Sequence, residues 1–342
     1  RTLGAYGIFP DMVMGHSLGE YGALVSASAL SFDEALRAVS ARGVEMTKCA
    51  LDDNGTMAAV FGPIEEIQKI IKSIDGYVVI ANINSSKEAV IGGTTAAMEK
   101  AMATVREAGY VVRPLPVSHA FHTRIVAPAG DGLKNVLRNM DIRPPSVPVI
   151  SNVMGEFYPM GPGVVPEMID LLGRQVSSPV QFVKGLNTLY EAGTRVFVEV
   201  GPKRVLYGFV EDVLGDREGV VSLFTNHPRI GDVVSINQAL CGLYAAGLGV
   251  GALEAEARHK IEIDAKVVAQ PVSKTAEFKQ PETRQPAAAP VEPRAPLARR
   301  GPAKAGTDRY LELGRLFADF LDRGFQIYSG GRPSQGAVNV CI

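Results

Sequence analysis

A chain of 342 residues, 46% of them hydrophobic, is long enough for two or three folding units around real cores. Its formal net charge of -1 offers no basic surface to nucleic acid, and no apolar run reaches the length of a membrane span. Its cysteines, Cys49, Cys241 and Cys341, lie too far apart for a disulfide framework or metal cluster, so a reducing cytoplasm is the simplest setting.

The chain opens without an initiator Met and closes on the apolar run Val338-Asn339-Val340-Cys341-Ile342, which reads as an internal piece of a larger polypeptide. Met12-Val13-Met14 is an apolar run that suits the end of a buried strand. Gly15-His16-Ser17-Leu18-Gly19 follows and fits the G-x-S-x-G pattern of a nucleophile turn. Leu18, Tyr21, Ala23, Leu24 and Val25 then give helical spacing. Strand, sharp turn and helix together make Ser17 the candidate nucleophile at a helix head, where backbone N–H groups can stabilise an oxyanion. The flanking glycines are expected because a strained turn leaves no room for a Cβ.

Ser31 to Met46 reads as a helix, with Ser31 and Glu34 spaced as a capping box. Ala35, Leu36, Val39, Gly43 and Met46 form its apolar side, and Arg42 falls on the flank of that side. A guanidinium there either snorkels over the core edge or faces a carboxylate or polar cavity.

From Thr56 to Pro116 the pattern is strand, helix, strand, strand, helix, strand. The order βαββαβ is that of a ferredoxin-like insertion, assigned to 55–116. Val117 to Pro128 carries His119 and His122, three apart and without a neighbouring Glu or Cys, which is not the spacing of a helical zinc pair. Either histidine could be the base for Ser17, and spacing does not choose between them.

Strands are predicted at Val147–Asn152, Arg195–Val200 and Val220–Leu223, and helices at Pro166–Gln175, Val183–Ala192, Val205–Leu214 and Val233–Ala246. This alternation argues for an α/β core made of 1–54 and 117–251. Residues 252–306, rich in Pro, Ala and charge, read as a disordered linker, and 307–342 as a helix and the start of a following domain.

At GHSLGEY, ARG, HAFH and FVEVGP the chain resembles the acyltransferase domains of modular polyketide and polyunsaturated-fatty-acid synthases. It is similar there to malonyl-CoA:acyl carrier protein transacylases, over about residues 1–251. The resemblance implies an α/β-hydrolase-like core with a ferredoxin-like subdomain. It implies that Ser17 is the acylated nucleophile and His122 the catalytic histidine, with Leu18 giving a backbone oxyanion donor. Arg42 would grip the free carboxylate of malonate, and His16, His119, Phe121 and Asn84 would line the acyl site. Gln181 would lie near the residue whose backbone carbonyl orients the histidine. The HAFH type of sequence accompanies malonyl selectivity, consistent with a bulky Phe121 crowding an α-methyl.

The implied donor is malonyl-CoA and the implied acceptor is the phosphopantetheine thiol of an acyl carrier protein. Neighbouring synthase domains would be further partners, and no bound cofactor or metal is expected. A Gly-Gln-Gly strand belongs ahead of residue 1 in this family, so the chain is expected to lack one sheet strand and part of its oxyanion hole. Rival readings are a thioester hydrolase of the same fold and a non-catalytic docking module.

Overall fold

A computed structural model describes residues 2–49 and 52–249 and the backbone of 338–341. The expected linker and the helix of 307–325 lie outside the described residues. A short helix α1 (Thr2–Ala5) leads to strand β1 (Met12–Met14), helix α2 (Gly19–Ser26) and helix α3 (Phe32–Lys48). The Ser31 Oγ caps α3 by accepting the Glu34 N–H at 3.1 Å. The reciprocal half of the box is replaced: Glu34 pairs with Arg37 instead.

The next segment contains β2 (Thr56–Phe61), α4 (Ile64–Lys72), β3 (Val78–Ile83), β4 (Glu88–Gly93), α5 (Thr95–Glu107) and β5 (Val111–Leu115). A 3₁₀ turn at Arg124–Val126 and helix α6 (Pro128–Leu137) follow, then β6 (Val149–Ser151), β7 (Glu156–Phe157) and α7 (Val165–Gln175). The described chain continues through β8 (Val180–Gln181), α8 (Phe182–Glu191), β9 (Thr194–Glu199), α9 (Val205–Leu214), β10 (Val221–Phe224) and α10 (Asp232–Ala245) to β11 (Val338–Cys341).

Two sheets result. The larger has the order β10-β9-β11-β1-β6-β7, parallel apart from the β6–β7 hairpin. Successive side chains of a strand face opposite ways. Val13 and Val149 therefore enter the core under α2, α3, α6 and α7, while Met14 and Ile150 enter the core under α8 and α9. The layers are helix, sheet, helix. None of the described helices is long and apolar enough to cross a membrane.

The smaller sheet has the order β5-β2-β4-β3-β8, antiparallel except that β8 adds parallel to β3. Its one face packs on α4 and α5, and its other face meets Ala120 and Ile125 of the loop after β5. That loop is thus held between the small sheet and the larger core.

The expectation for the end of the chain needs correction. Val338–Cys341 does not open a separate domain; it pairs with β9 on one side and β1 on the other. The strand thereby joins β1 and β9 into one sheet, satisfying backbone groups on both.

Candidate active site

Ser17 stands between the end of β1 and the head of α2, with φ at 53°. Among the described residues only three non-glycines have positive φ, and a second is His122 at 58°. Such backbone costs about 1–3 kcal/mol and persists only where surrounding contacts over-determine it. At Ser17 the contacts are evident. Its N–H donates to Asn152 Oδ1 at 2.6 Å, its carbonyl accepts from Gln175 Nε2 at 2.7 Å, and Asn152 Nδ2 donates to the Gly15 carbonyl at 2.6 Å.

The glycine requirement is narrower than the motif suggests. A Cβ on Gly15 would lie 2.1 Å from the Gly19 carbonyl carbon and oxygen, whereas a Cβ on Gly19 would meet nothing within 4 Å. Gly15→Ala should therefore destabilise by about 1–3 kcal/mol and displace the nucleophile. Gly19→Ala, at the first residue of α2, should be near neutral or slightly stabilising. Thermal denaturation of the two variants checks this; equal losses would contradict the geometry.

Ser17 Oγ and His122 Nε2 are 2.6 Å apart. The other ring nitrogen, Nδ1, donates to the Gln175 carbonyl at 2.9 Å and lies 3.2 Å from that of Ser178. Carbonyls only accept, so the proton resides on Nδ1 and the Nε2 lone pair faces the serine hydroxyl. Burial, then the Arg42 cation, drives the imidazole down to about 3, so it is neutral at ordinary pH.

Arg42 lies within the buried face of α3 with Ala35, Ala38 and Met46. It does not snorkel: it is 6% exposed, while Leu36, assigned to the apolar side, is 54% exposed. Its Nη2 is 3.4 Å from Ser17 Oγ, and its buried Nε has no hydrogen-bond partner.

These groups meet in a cavity of about 270 Å³. His16, Ser17, Arg42, Asn82 and His122 form its polar side, and Met57, Val90, Leu115, Val117 and Phe121 its apolar wall. His16 Nε2 donates to Asn84 Oδ1 at 2.8 Å, an orientation fixed because Asn84 Nδ2 donates to Glu88. Burial lowers the His16 imidazole below its ordinary value, and its ring packs on Phe182. Leu18 caps α2, with its side chain exposed. A larger open groove, about 760 Å³, runs between α3 and α6 near Leu36 and Val44, but neither a histidine nor a cysteine lines it.

Three of the expected site residues lie off the cavity: Asn84 leaves its place to Asn82 and touches the site only through His16. His119 does not line the cavity; it is buried behind Phe121, ring centroids 6.1 Å apart, with Nδ1 at 3.0 Å from Ser118 Oγ. Gln181 does not reach His122: it ends β8, and its N–H donates to the Asn152 carbonyl. The carbonyls at His122 Nδ1 come from the end of α7, at Gln175 and Ser178. The sequence pattern also fails to single out Asn152, Gln175, Tyr158 and Glu20. The one available signal is a polar Ser-Asn pair ending an apolar strand at Ser151-Asn152.

A neutral imidazole against a serine hydroxyl at a helix head, with a buried cation beside them, is a site built for covalent acyl transfer. The chain belongs to the acyl transferase domain family, whose pattern matches residues 1–228. It is 38% identical over 212 residues to the malonyl CoA-acyl carrier protein transacylase of Bacillus subtilis (strain 168), covering 60% of this chain and 66% of that protein. It is 33% identical over 261 residues to one component of the polyunsaturated fatty acid synthase of a Thraustochytrium species, covering 73% of this chain but only 9% of that protein. Among solved structures it resembles the acyltransferase domain from the second module of the salinomycin polyketide synthase. The TM-score there is 0.65 at 31% identity, over 79% of this chain and 61% of that one. A type II polyketide malonyl-transacylase in complex with its acyl-carrier protein matches at TM-score 0.63 and 30% identity, over 70% of this chain and 75% of the other.

Proposed function

We propose that this chain carries the catalytic core of a malonyl transferase, moving a malonyl group from coenzyme A to the phosphopantetheine thiol of an acyl carrier protein. The observation that carries the reading is the buried Arg42 guanidinium, with an unpartnered Nε, in the same cavity as the Ser17–His122 pair. A desolvated cation next to a nucleophile selects a substrate that brings its own anion, and malonate's free carboxylate is such an anion. The malonyl and carrier-protein names of the similar proteins support it.

In the first step His122 Nε2 takes the Ser17 proton as Oγ attacks the thioester carbonyl. The tetrahedral oxyanion forms at the head of α2, where the Leu18 N–H is a donor. The C–S bond breaks and the CoA thiolate takes the proton from His122. In the second step the carrier-protein thiol gives its proton to His122, attacks the malonyl-Ser17 ester, and Ser17 recovers a proton as it leaves. Arg42 holds the carboxylate in a two-toothed fork throughout. His16, held by Asn84, and Asn82 shape the polar rim, and Phe121, backed by His119, limits the space beside the α-carbon. The architecture supporting this is an α/β-hydrolase-like core of 1–54 and 117–251 with a ferredoxin-like subdomain of 55–116.

Arg42→Ala should lower kcat/KM for malonyl-CoA by about 10²–10³-fold, since truncating one partner of a buried charge pair costs about 2–5 kcal/mol. Acetyl-CoA, which has no carboxylate, should lose little. Parallel kinetics with the two donors decide, and an equal loss for both counts against the fork. A thioester hydrolase would instead release malonate faster than it loads carrier protein, which a product partition measurement separates.

A further inference from the structure

We propose that Glu20 is the positioning residue of this site: through the Gln175 side chain it fixes both the turn that carries Ser17 and the carbonyl that orients His122. The inference rests on the Ser17–His122 reading above. Glu20 follows the nucleophile by three residues, on the first turn of α2, and is fully buried. It does not line the cavity, so it does not touch substrate.

Its bonds lead to both reacting residues. Oε2 accepts from Gln175 Nε2 at 2.8 Å, and that same nitrogen donates to the Ser17 carbonyl at 2.7 Å. The Gln175 backbone carbonyl, in turn, accepts from His122 Nδ1. Oε1 accepts from the Tyr158 hydroxyl and, at 3.3 Å, from the Asn152 N–H. Asn152 is the residue whose side chain takes the Ser17 N–H and holds the Gly15 carbonyl. The two left-handed residues, Ser17 and His122, are thus each tied to one carboxylate through a single intermediate side chain or residue.

The partner set explains why a carboxylate is needed. Tyr158 O–H, Asn152 N–H and Gln175 N–H are all donors, so the group they surround must only accept. A glutamine would point its own NH₂ at one of them. Burial, opposed by the three donors and the Arg42 cation, leaves the Glu20 carboxyl raised to about 7. Tyr21 and Tyr158, the neighbouring phenols, are themselves raised above their ordinary value by burial and stay neutral.

The test uses the full chain, malonyl-CoA as donor, and intact-mass detection of the malonyl adduct over time. Glu20→Gln should slow loading of Ser17 by about 10²-fold, the scale of a misplacement of about 1 Å, with KM for malonyl-CoA within about threefold. Gln175→Met removes the shared amide but keeps the backbone carbonyl, and should give a similar loss of kcat at unchanged KM. Because both act through one chain of bonds, the double variant should be little worse than the worse single one. Loading by Glu20→Gln within threefold of the parent rate overturns the proposal, as do multiplicative losses in the double variant. If Glu20→Gln does not fold, parent-like kcat in Gln175→Met overturns it alone. Ser17→Ala separates the two levels: an adduct there topples the nucleophile reading itself, whereas no adduct there with parent-rate Glu20→Gln topples only the Glu20 assignment.

Discussion

Ser17→Ala is expected to abolish the covalent malonyl adduct and to lower malonyl transfer by about 10⁴–10⁶-fold, the range seen when a nucleophile acting within a concerted unit is removed. The substitution deletes one oxygen, which faces His122 Nε2 at 2.6 Å and Arg42 Nη2 at 3.4 Å. The contacts that hold the strained turn are made by the Ser17 backbone to Asn152 and Gln175, and alanine keeps them. The melting temperature should therefore stay within a few degrees while chemistry disappears. Intact-mass analysis after incubation with malonyl-CoA is the measurement, and a mass gain of one malonyl group on the alanine variant would refute the assignment.

His122→Ala should cost about 10²–10⁴-fold in kcat, the contribution of a positioned general base. The more discriminating result is the pH profile of the parent enzyme. Burial, then Arg42, then His16, disfavours the imidazolium, so His122 gives up its proton far below the ordinary value of 6.5. A depressed value means the base-competent neutral form persists as pH falls. The acid limb that belongs to His122 should accordingly lie well below pH 6.5, while a loss near pH 7 belongs to the Glu20 carboxyl and should vanish in Glu20→Gln. Removing the neighbouring cation in Arg42→Ala should move that limb upward. A limb at 6.5 that persists in Glu20→Gln would mean that the ring is solvated, contrary to the structure. The same shift acts on stability: below about pH 6.5 the unfolded chain binds a proton that the folded chain refuses, so stability declines with acid from there.

Much of the fold is legible in the sequence because its elements follow hydrophobic period. The βαββαβ segment reads strand for strand, since its strands are short apolar runs bounded by turn residues and its apolar residues recur at helical spacing in α4 and α5. Helix α6 is hidden because Pro128, Gly130 and Gly132 look like loop residues. They are explained by packing: a Cβ on Gly130 would lie 2.7 Å from the Gly173 carbonyl of α7, and one on Gly132 would collide with Glu45 of α3. Close helix approach thus removes the local signal that would reveal the helix.

The site divides along the same line. Ser17 has a sequence signature because its turn is local. The meeting of Ser17, Arg42 and His122 depends on tertiary packing, which is why residue spacing leaves His119 and His122 equivalent. Glu20, Asn152, Tyr158 and Gln175 are single polar residues among core neighbours, and only the fold shows that they bond to one another. Gln181 misses its expected place because the carbonyls at His122 sit at and just beyond a helix end that sequence locates only loosely.

The late strand in the large sheet bears on how the polypeptide folds. Val338 follows Glu199 by about 140 residues, yet the two strands lie side by side. Such a pairing closes a loop far longer than the turns that join neighbouring strands, so it carries a high chain-entropy cost. Pairing across so much intervening chain raises the contact order and slows the search. Refolding should accordingly be slow for a chain of this size, limited by the closing of that interval.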